Sequence, residues 1–377
     1  MIKENKIRYT ALDVFRGMTI CFMIIVNSPG SGAIPYWPLN HAVWHGFTPT
    51  DLVFPSFLFA VGNALSFSEK KFNQLPSGQV LYSIFKRFAI IFLLGYLMYW
   101  FPFFKINTEG EITSFPISET RIFGVLQRIA LCYLFAALAV RYMKQQYLLW
   151  LGIFLLLIYW GLLVFFGSGD PFSLEGNAIF KLDLWLLGES HLYHNHGVIF
   201  DPEGLLSTLP AIVNTLAGYL TGKYLQEKGS SFKILSRLLF IGMIGILIAV
   251  CWDKMFPINK KIWSSSFALL TISIDLLLLP LLVLITENKH QQPQKWTAFF
   301  TIFGKNPLFI YLLSEIVLIT LVTIPIGSTS LFETINSTIF QPLLPGPAGS
   351  LLFALLYMLF CWAVGWLLDK KKVYIKV

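Results

Sequence analysis

Charged residues are scarce in this chain. Lys, Arg, Asp and Glu together make up 13% of its 377 residues, against about 25% in a typical soluble domain. Hydrophobic residues make up 56%, with 35 Phe, and the mean hydropathy is +0.67. A soluble domain of this composition would expose apolar patches large enough to aggregate. The deficit of charge therefore predicts a polytopic membrane protein and excludes an ordinary soluble enzyme.

Cysteine motifs and phosphate-binding glycine loops are also missing. All of the cysteines lie inside apolar runs, without CxxC spacing: Cys21, Cys132, Cys251 and Cys361. They predict small apolar packing residues rather than a disulfide framework or a zinc site. The chain has no Walker-type loop and no GxGxxG. Its net charge of +8 fits the basic cytoplasmic loops of membrane proteins, so no nucleic-acid partner is expected.

Long apolar stretches mark about ten membrane spans, each of about 17–25 residues. We expect them at residues 11–29, 49–68, 81–101, 121–140, 147–166, 204–222, 234–252, 263–285, 306–325 and 349–368. Residues 296–303 predict an additional short helix or half-span. The first run ends without a small-residue cleavage site, so we interpret it as a retained span rather than a signal peptide. The sequence predicts an all-α helix bundle forming one integral membrane domain over residues 1–377.

Lysine and arginine decide the predicted orientation. With the N-terminus inside, 21 of the 28 lie on the inner side and six on the outer side. Cytoplasmic loops carry such an excess. Both termini are therefore predicted to be cytoplasmic, in a multi-pass membrane protein.

The outer loops are predicted to carry the chemistry. They are the longer ones, at residues 30–48, 102–120, 167–203 and 326–348. Long loops are often functional. Five of the six histidines fall on this side: His41, His45, His191, His194 and His196. The sixth, His290, falls on the inner side. Because histidine titrates near neutral pH, the outer face is a candidate for acid–base work.

Residues 40–55 hold more polar chemistry than a turn between two spans requires. Trp44 suits an interfacial aromatic belt, and the whole loop could be such a belt with His41 at its surface. Thr48 and Pro49 predict a helix start, with Asp51 as the acid near its positive end. Catalytic and structural interpretations of this stretch therefore both stay open.

Three ionisable residues lie deep inside predicted spans: Arg128, Asp275 and Glu315. Charges at such depth cost several kcal/mol unless they are paired or hydrated. Each is a functional candidate, and pairing of Arg128 with one of the acids is the structural alternative.

Two further clusters could bind ligands. Residues 189–196 contain His-x-x-His-x-His, which fits a hydrogen-bonding surface or a solvated loop better than a metal site, because the spacing matches no regular zinc pattern. On the inner side, Lys305 precedes an Asn-Pro helix start that could hold an anion. Arg16, Lys86 and Arg87 lie at the same level.

An ordered set of motifs carries a family resemblance. It comprises Asn27 and residues 12–17, 40–55, 121–130, 200–208, 258–266 and 306–308. In this order they resemble the heparan-α-glucosaminide N-acetyltransferase family, which contains the lysosomal membrane enzyme and bacterial relatives. By this resemblance we expect a relative without the large luminal N-terminal region of the lysosomal form, and the short loops suggest one from a bacterial inner membrane. The lysosomal form carries asparagine at the position of His45, so a catalytic role for His45 is doubtful.

The resemblance implies acetyl transfer from cytoplasmic acetyl-CoA to an amino sugar on the far side, by a protein that dimerises. It matches His41 to the catalytic histidine and Asn27 to a neighbouring active-site residue. The residues themselves agree, because acyl transfer to an amine needs a base and an oxyanion donor. We expect acetyl-CoA to bind at Arg16, Arg87, Gln127, Arg128 and Lys305. We expect the acceptor to bind near Trp44, Asp51, Glu203, Lys260 and Lys261, with no metal.

Two alternatives remain at this point. A sugar or muropeptide transporter would fit ten spans and buried charges, although no internal repeat or paired broken helices are visible. An O-acetyltransferase of surface polysaccharide would use the same donor with a hydroxyl acceptor.

Overall fold

The structure, a computed structural model, describes residues 9–72, 74–106, 111–195, 198–287 and 295–375. His196 and His290 lie outside them. The helices within these residues are α1 (Thr10–Asn27), α2 (Val53–Phe72), α3 (Ser77–Trp100), α4 (Val125–Tyr142), α5 (Gln145–Phe166), α6 (Ala178–Leu187), α7 (Thr208–Lys228), α8 (Phe232–Asp253), α9 (Ser265–Thr286), α10 (Lys295–Lys305), α11 (Pro307–Thr323), α12 (Leu331–Ile335), α13 (Gln341–Leu343) and α14 (Pro347–Lys370).

Short elements occur only in the connections of the described chain. Antiparallel hairpins pair β1 (Phe104–Ile106) with β2 (Ile112–Ser114), β3 (His194–Asn195) with β4 (Val198–Ile199), and β5 (Pro325–Ile326) with β6 (Thr329–Ser330). In the first hairpin Lys105 lies opposite Thr113. Single 3-10 turns occur at Trp37–Leu39, Pro49–Leu52, Ile117–Glu119 and Glu189–His191, and a π-helical turn at Asn336–Phe340.

The predicted all-α polytopic membrane bundle is confirmed. In the part of the chain that the structure describes, α1, α2 with its preceding turn, α3, α4, α5, α8, α9 and α14 are long and apolar enough to cross a bilayer. The bent pair α10–α11 meets the same criterion together. Helix α7 is 21 residues long but more polar, and most of its residues are buried by neighbouring helices. Each of the ten predicted spans therefore has a helical counterpart.

The bend between α10 and α11 measures 78° and lies at Asn306. Pro307 explains it, because proline has no amide hydrogen and disfavours helical geometry in the residue before it. The Asn306 side chain connects the break to the C-terminal segment of the chain. It donates to Val373 O at 3.0 Å and accepts from Ile375 N at 2.8 Å. The predicted half-span at residues 296–303 corresponds to α10.

Glycines allow α2 and α7 to cross closely at the centre of the bundle. A Cβ added to Gly62 would lie 1.8 Å from the Thr215 carbonyl oxygen, and one added to Gly218 would lie 1.9 Å from that of Phe59. Small residues let membrane helices approach to backbone contact. The crossing positions the outer ends of α2 and α7 side by side.

Two predicted spans begin too early on the outer side. Helices α4 and α7 start at Val125 and Thr208, against predicted starts at 121 and 204. Arg121 donates a hydrogen bond to Glu203 before either helix begins. The apolar residues next to them therefore remain in the loops and do not lengthen α4 or α7. By the predicted orientation, the loops at residues 28–52, 101–124, 188–207 and 254–264 all lie on the outer face.

Candidate active site

His41 and Asp51 form a hydrogen-bonded pair at the outer end of α2. His41 Nδ1 lies 2.7 Å from Asp51 Oδ1. The histidine side chain is 43% exposed, whereas the aspartate side chain is fully buried. Because an ionised carboxylate can only accept hydrogen bonds, Nδ1 carries the proton of the neutral ring. The Nε2 lone pair is then left available as a base.

The second carboxylate oxygen of Asp51 begins the helix. Oδ2 accepts hydrogen bonds from Thr48 N at 2.9 Å, Thr48 Oγ1 at 3.0 Å and Ala42 N at 3.2 Å. This is a capping box, followed by Pro49 at the first position of the turn. Asp51 thus acts as the helix-start acid that its position predicts. Both oxygens point into the loop, so Asp51 does not face the outer surface where we expected it to meet the acceptor.

Lys260 lies over the His41 ring. Its Nζ is 3.1 Å from Nδ1 and 3.0 Å from Nε2. An in-plane atom equidistant from both nitrogens would collide with the carbon between them, so the ammonium lies above the ring face. Burial lowers the pKa of His41, Lys260 lowers it further, and Asp51 opposes both. The net pKa of His41 lies below its ordinary value, which keeps the imidazole neutral at pH 7.

Aromatic side chains form a wall beside this pair. Trp44 donates its indole N–H to Phe172 O at 2.9 Å and packs edge-to-face on Phe200, with ring centroids 5.5 Å apart. Lys261 Nζ lies 5.8 Å from the Trp44 ring centroid. His45, the next residue, lies at the end of this wall and contacts Asn259. Lys261 follows Lys260 in the chain, so the loop that places Lys260 against His41 also contacts Trp44.

Arg121 joins two acids in the neighbouring outer loops. It donates from Nε and Nη2 to the two Asp201 oxygens at 2.9 and 2.7 Å, and from Nη2 to Glu203 Oε2 at 2.6 Å. Its guanidinium lies between two aromatic rings, 4.9 Å from the Tyr99 centroid and 4.5 Å from that of Tyr193. The cation is therefore held in a rigid cluster, which we call the Arg121 cluster: Tyr99, Arg121, Tyr193, Asp201 and Glu203.

Glu203 connects the Arg121 cluster to His41. Burial alone would raise the pKa of Glu203, but Arg121, Arg128 and Lys260 outweigh it and hold the pKa below its usual value. The resulting negative charge acts on both Lys260 and His41. The carboxylate expected to face the acceptor therefore belongs to the same electrostatic unit as the base.

Arg128 lies at the outer end of α4, in its first turn, rather than in the middle of a span. The guanidinium is fully buried, donates to Gly204 O at 2.9 Å and to Ser207 Oγ, and lies 5.0 Å from the Trp263 ring centroid. Neither predicted acid pairs with it. Asp275 accepts from Ser56 Oγ at 2.5 Å, and Glu315 bonds elsewhere. Arg128 holds the turn that carries Glu203.

Asn27 lies at the outer end of α1, and its amide nitrogen is 3.4 Å from Glu315 Oε1. Tyr311 lies beside the same carboxylate. Tyr311 in turn lies close enough to Tyr99 and Glu203 to interact with them electrostatically. The described side chains thus connect Asn27 with His41 through a run of polar groups rather than by direct contact.

A cavity of about 330 Å³ lies below these polar groups. It extends from Arg16, Arg87 and Lys305 on the inner side to Tyr311 and Leu126 towards the outer side. Leu126 is the second residue of α4, which begins on the outer side. The cavity therefore crosses much of the thickness of the bundle.

Three of the residues expected to bind acetyl-CoA line the inner end of this cavity. Arg16 bonds to Asp13 at 2.7 Å, Lys305 bonds to Asp369 at 2.8 Å, and Arg87 lies 4.5 Å from the Tyr133 ring centroid. The other two do not line the cavity. Gln127 is buried against Gly95, and Arg128 lies at the outer end of α4 against Gly204.

The predicted histidine cluster is spread over separate contacts. His191 Nδ1 lies 2.7 Å from Thr120 O, and His194 Nδ1 lies 3.0 Å from Leu192 O. Among the described residues, no group of three or more His, Cys, Asp or Glu side chains is arranged to hold a metal ion.

Sequence reasoning did not assign roles to several residues of the site. Arg121, Asp201 and Asn259 lie in motifs that carried the family resemblance, whereas Tyr99 and Asp183 lie outside those motifs. Arg121 and Asp201 are 80 positions apart, so spacing could not pair them. Asp183 accepts from Leu205 N at 3.1 Å and supports the turn below Glu203, and burial raises its pKa to about 7. The one sequence signal for this cluster was Arg121 itself, a charged residue on the predicted outer face among loops rich in aromatic residues.

Comparison with known proteins gives matching results. The sequence model of the family described as heparan-alpha-glucosaminide N-acetyltransferase, catalytic, matches residues 8–228. The heparan-alpha-glucosaminide N-acetyltransferase of Mus musculus is 27% identical over 364 residues, and that of Homo sapiens is 28% identical over 365. Each alignment covers 82% of this chain and 53% of the relative. The chain thus spans about half the length of these curated relatives.

Proposed function

The chain belongs to the heparan-alpha-glucosaminide N-acetyltransferase family, and we propose that it transfers acetyl from acetyl-CoA to the amine of a glucosamine-type sugar. One observation carries the proposal. A cavity with a cationic inner mouth leads towards the outer end of the bundle, where Asp51 orients a neutral His41. The donor and the acceptor would approach this point from opposite sides.

The chemistry requires a base beside the amine. Transfer forms a bond between the amine nitrogen and the acetyl carbon and breaks the carbon–sulfur bond of the thioester. His41 Nε2 accepts the proton that the amine loses, and the departing thiolate takes up a proton. Asp51 stabilises the imidazolium because it accepts from Nδ1 at 2.7 Å. A positioned general base contributes about 10²–10⁴-fold to such a rate.

Asn27 is placed to stabilise the developing oxyanion. Its amide donates to Glu315 over 3.4 Å, which is long for a hydrogen bond. A thioester carbonyl oxygen at the top of the cavity could replace that weak partner. Removal of one oxyanion donor costs about 10²–10³-fold in other acyl-transfer enzymes.

The donor fits the cavity by charge and by length. Arg16, Arg87 and Lys305 offer three cations to the phosphates at the inner end. Arg16, Ile20 and Met23 line one face of α1, and Asn27 continues that face. From Arg16 to Asn27 the helix rises about 16 Å. An extended pantetheine arm suits such a path.

The acceptor would bind on the outer side. Trp44 offers a flat apolar surface for a sugar ring, and Glu203 and Lys260 offer hydrogen bonds to hydroxyl or amine groups. Lys261 borders the same wall. Glu203 also balances the positive charge of Lys260 next to the base.

Purified protein, labelled acetyl-CoA and two acceptors test the proposal. Glucosamine should be acetylated, whereas N-acetylglucosamine, which offers only hydroxyls, should not. The reverse preference would favour O-acetyl transfer. His41→Ala should lower the rate about 10²–10⁴-fold, and His194→Ala, at another outer-face histidine, should leave it unchanged. Wild-type rates in His41→Ala would refute the assigned role.

Sealed vesicles test the direction of transfer. Acetyl-CoA supplied on the side of the termini should acetylate glucosamine on the opposite side. Accumulation of free sugar without acyl-CoA would instead indicate a transporter. The homodimer and the bacterial inner membrane stay predictions, to be checked by the mass of the detergent-solubilised protein and by cell fractionation.

A further inference from the structure

Asn259 is held in its loop so that its side-chain NH₂ group points towards His45. The residue is fully buried. Its backbone N–H donates to Ser264 Oγ at 3.0 Å, and its side-chain Oδ1 accepts from Ile262 N at 3.1 Å. The second bond decides which end of the amide is oxygen. The NH₂ group is therefore the end that faces His45.

The orientation of Asn259 favours one tautomer of His45. Asn259 Nδ2 lies 3.4 Å from His45 Nδ1. An amide NH₂ group can only donate, so Nδ1 is the unprotonated nitrogen. In the neutral ring the hydrogen must then be on Nε2. His45 is an exposed residue of the outer loop.

One loop therefore presents two histidines with opposite hydrogen-bonding roles. His41 has its hydrogen on Nδ1, held by Asp51, and accepts at Nε2. His45 accepts at Nδ1 and donates at Nε2. Gly46, with φ +113°, donates from its amide to Ile258 O at 2.8 Å and so ties the loop to that of Asn259. The two roles are complementary for a ligand with an amine beside an oxygen.

His45 is on the acceptor side of the site. Its ring lies edge-to-face with Trp44, with centroids 6.3 Å apart. Among the described residues that line the donor cavity, none comes from the loops of His45 and Asn259. A hydrogen bond from His45 would therefore reach the sugar rather than the thioester.

We propose that His45 determines acceptor specificity by donating its Nε2–H to a hydroxyl oxygen on a carbon next to the reacting amine. The inference rests on the proposed acetyl transfer and names its substrate class, the vicinal amino alcohol. In glucosamine the amine carbon is flanked by two hydroxyl-bearing carbons, C1 and C3. His45 is a positioning residue here, because the proton transfer belongs to His41.

Combining enzyme variants with deoxy sugars tests the contact. His45→Phe keeps a ring but loses the donor, and should raise the KM for glucosamine about three- to tenfold. The KM for acetyl-CoA should not change. His45→Gln, whose amide nitrogen takes the place of Nε2, should restore most of the loss. With wild type, either 1-deoxy- or 3-deoxyglucosamine should show a similar loss, and His45→Phe should lose nothing further on that sugar.

Asn259→Asp provides the matched control for the tautomer. The carboxylate still accepts from Ile262 N, but it draws the His45 hydrogen onto Nδ1. It should therefore abolish discrimination between glucosamine and the deoxy sugar, and ¹⁵N NMR of histidine-labelled protein should report the change of tautomer. Additive losses for the variant and the deoxy sugar, or equal changes in both KM values, would overturn the inference. Failure of wild type to acetylate any of these amines would instead refute the proposed function itself.

Discussion

His41 Nδ1 and Asp51 Oδ1 lie 2.7 Å apart, and the same carboxylate begins the helix from which it projects. The orientation of the His41 ring is therefore coupled to the fold of the outer loop. Thr48 and Ala42 saturate the other oxygen of Asp51. A change at Asp51 should consequently affect rate and stability through separable bonds.

Asp51→Asn should lower kcat about 10²–10⁴-fold. The new amide NH₂ facing His41 can only donate, so Nδ1 must accept and the hydrogen moves to Nε2. Steady-state kinetics with saturating acetyl-CoA measures the effect. Thr48→Val is the control, because it weakens the helix start and should lower the melting temperature while sparing kcat. An Asp51→Asn enzyme with wild-type kcat would contradict the assigned orientation.

Lys260→Met should move the acid limb of the pH–rate profile to higher pH. His41 works as a base in its neutral form, so activity falls as pH drops through its pKa. That pKa lies below the ordinary 6.5 because of burial first and Lys260 second. Removal of the lysine charge takes away one lowering cause and raises the pKa of His41.

Wild type and Lys260→Met should be compared with the same acceptor. The acceptor amine then titrates identically in both profiles, so any difference in the acid limb reports the pKa of His41. Lys261→Met should leave the acid limb in place, because Lys261 lies against Trp44 rather than over His41. An unchanged limb in Lys260→Met would show that the ammonium does not act on the base.

Arg87→Gln and Lys305→Gln should each raise the KM for acetyl-CoA about tenfold or more, since hydrogen bonds to charged groups contribute about 1.5–3 kcal/mol. S-acetylpantetheine, which lacks the nucleotide phosphates, should be used equally well by the variants and by wild type. Lys144→Gln, at an inner connection outside the cavity lining, is the control. Equal losses with both thioesters would place the donor phosphates elsewhere.

Arg121→Met should destabilise the protein by about 3–5 kcal/mol, because it leaves two buried carboxylates without their cation. Unfolding in detergent, followed by circular dichroism, measures it. Asp201→Asn with Glu203→Gln in the same chain should recover part of the loss. Lys105→Met breaks an exposed pair with Glu119 and should cost at most about 1 kcal/mol. A smaller effect for Arg121→Met than for Lys105→Met would refute the role of the Arg121 cluster.

Local patterns in the sequence accounted for the helices. Apolar length indicated a helix at each of the ten predicted spans, and within the described residues eight of these helices, or nine with the bent pair, are long and apolar enough to cross a bilayer. The short apolar run at residues 296–303 correctly indicated α10 before the break at Pro307. Errors occurred at the outer ends of α4 and α7, where the chain is apolar enough for a helix. There Arg121 and Glu203 satisfy each other outside it.

Roles of individual side chains were harder to predict. Asp51 was interpreted as a helix-start acid that also faced the acceptor, whereas its oxygens are used by Thr48, Ala42 and His41. Arg128 was assigned to the donor by its depth, but its contacts are with Gly204 and Ser207 on the acceptor side. A single position cannot show which neighbour a charged group will find.

The sequence by itself determined the membrane class, the helices and the charge bias between the two faces, because hydropathy and charge act over neighbouring residues. Only the tertiary structure decided that Lys260 lies over His41, 219 positions away, and that Asn259 reaches His45, 214 positions away. Such contacts follow from how packed helices bring distant loops to one end of the bundle. The physical reason is that hydrogen bonds and ion pairs depend on distances of a few ångströms, which helix packing sets.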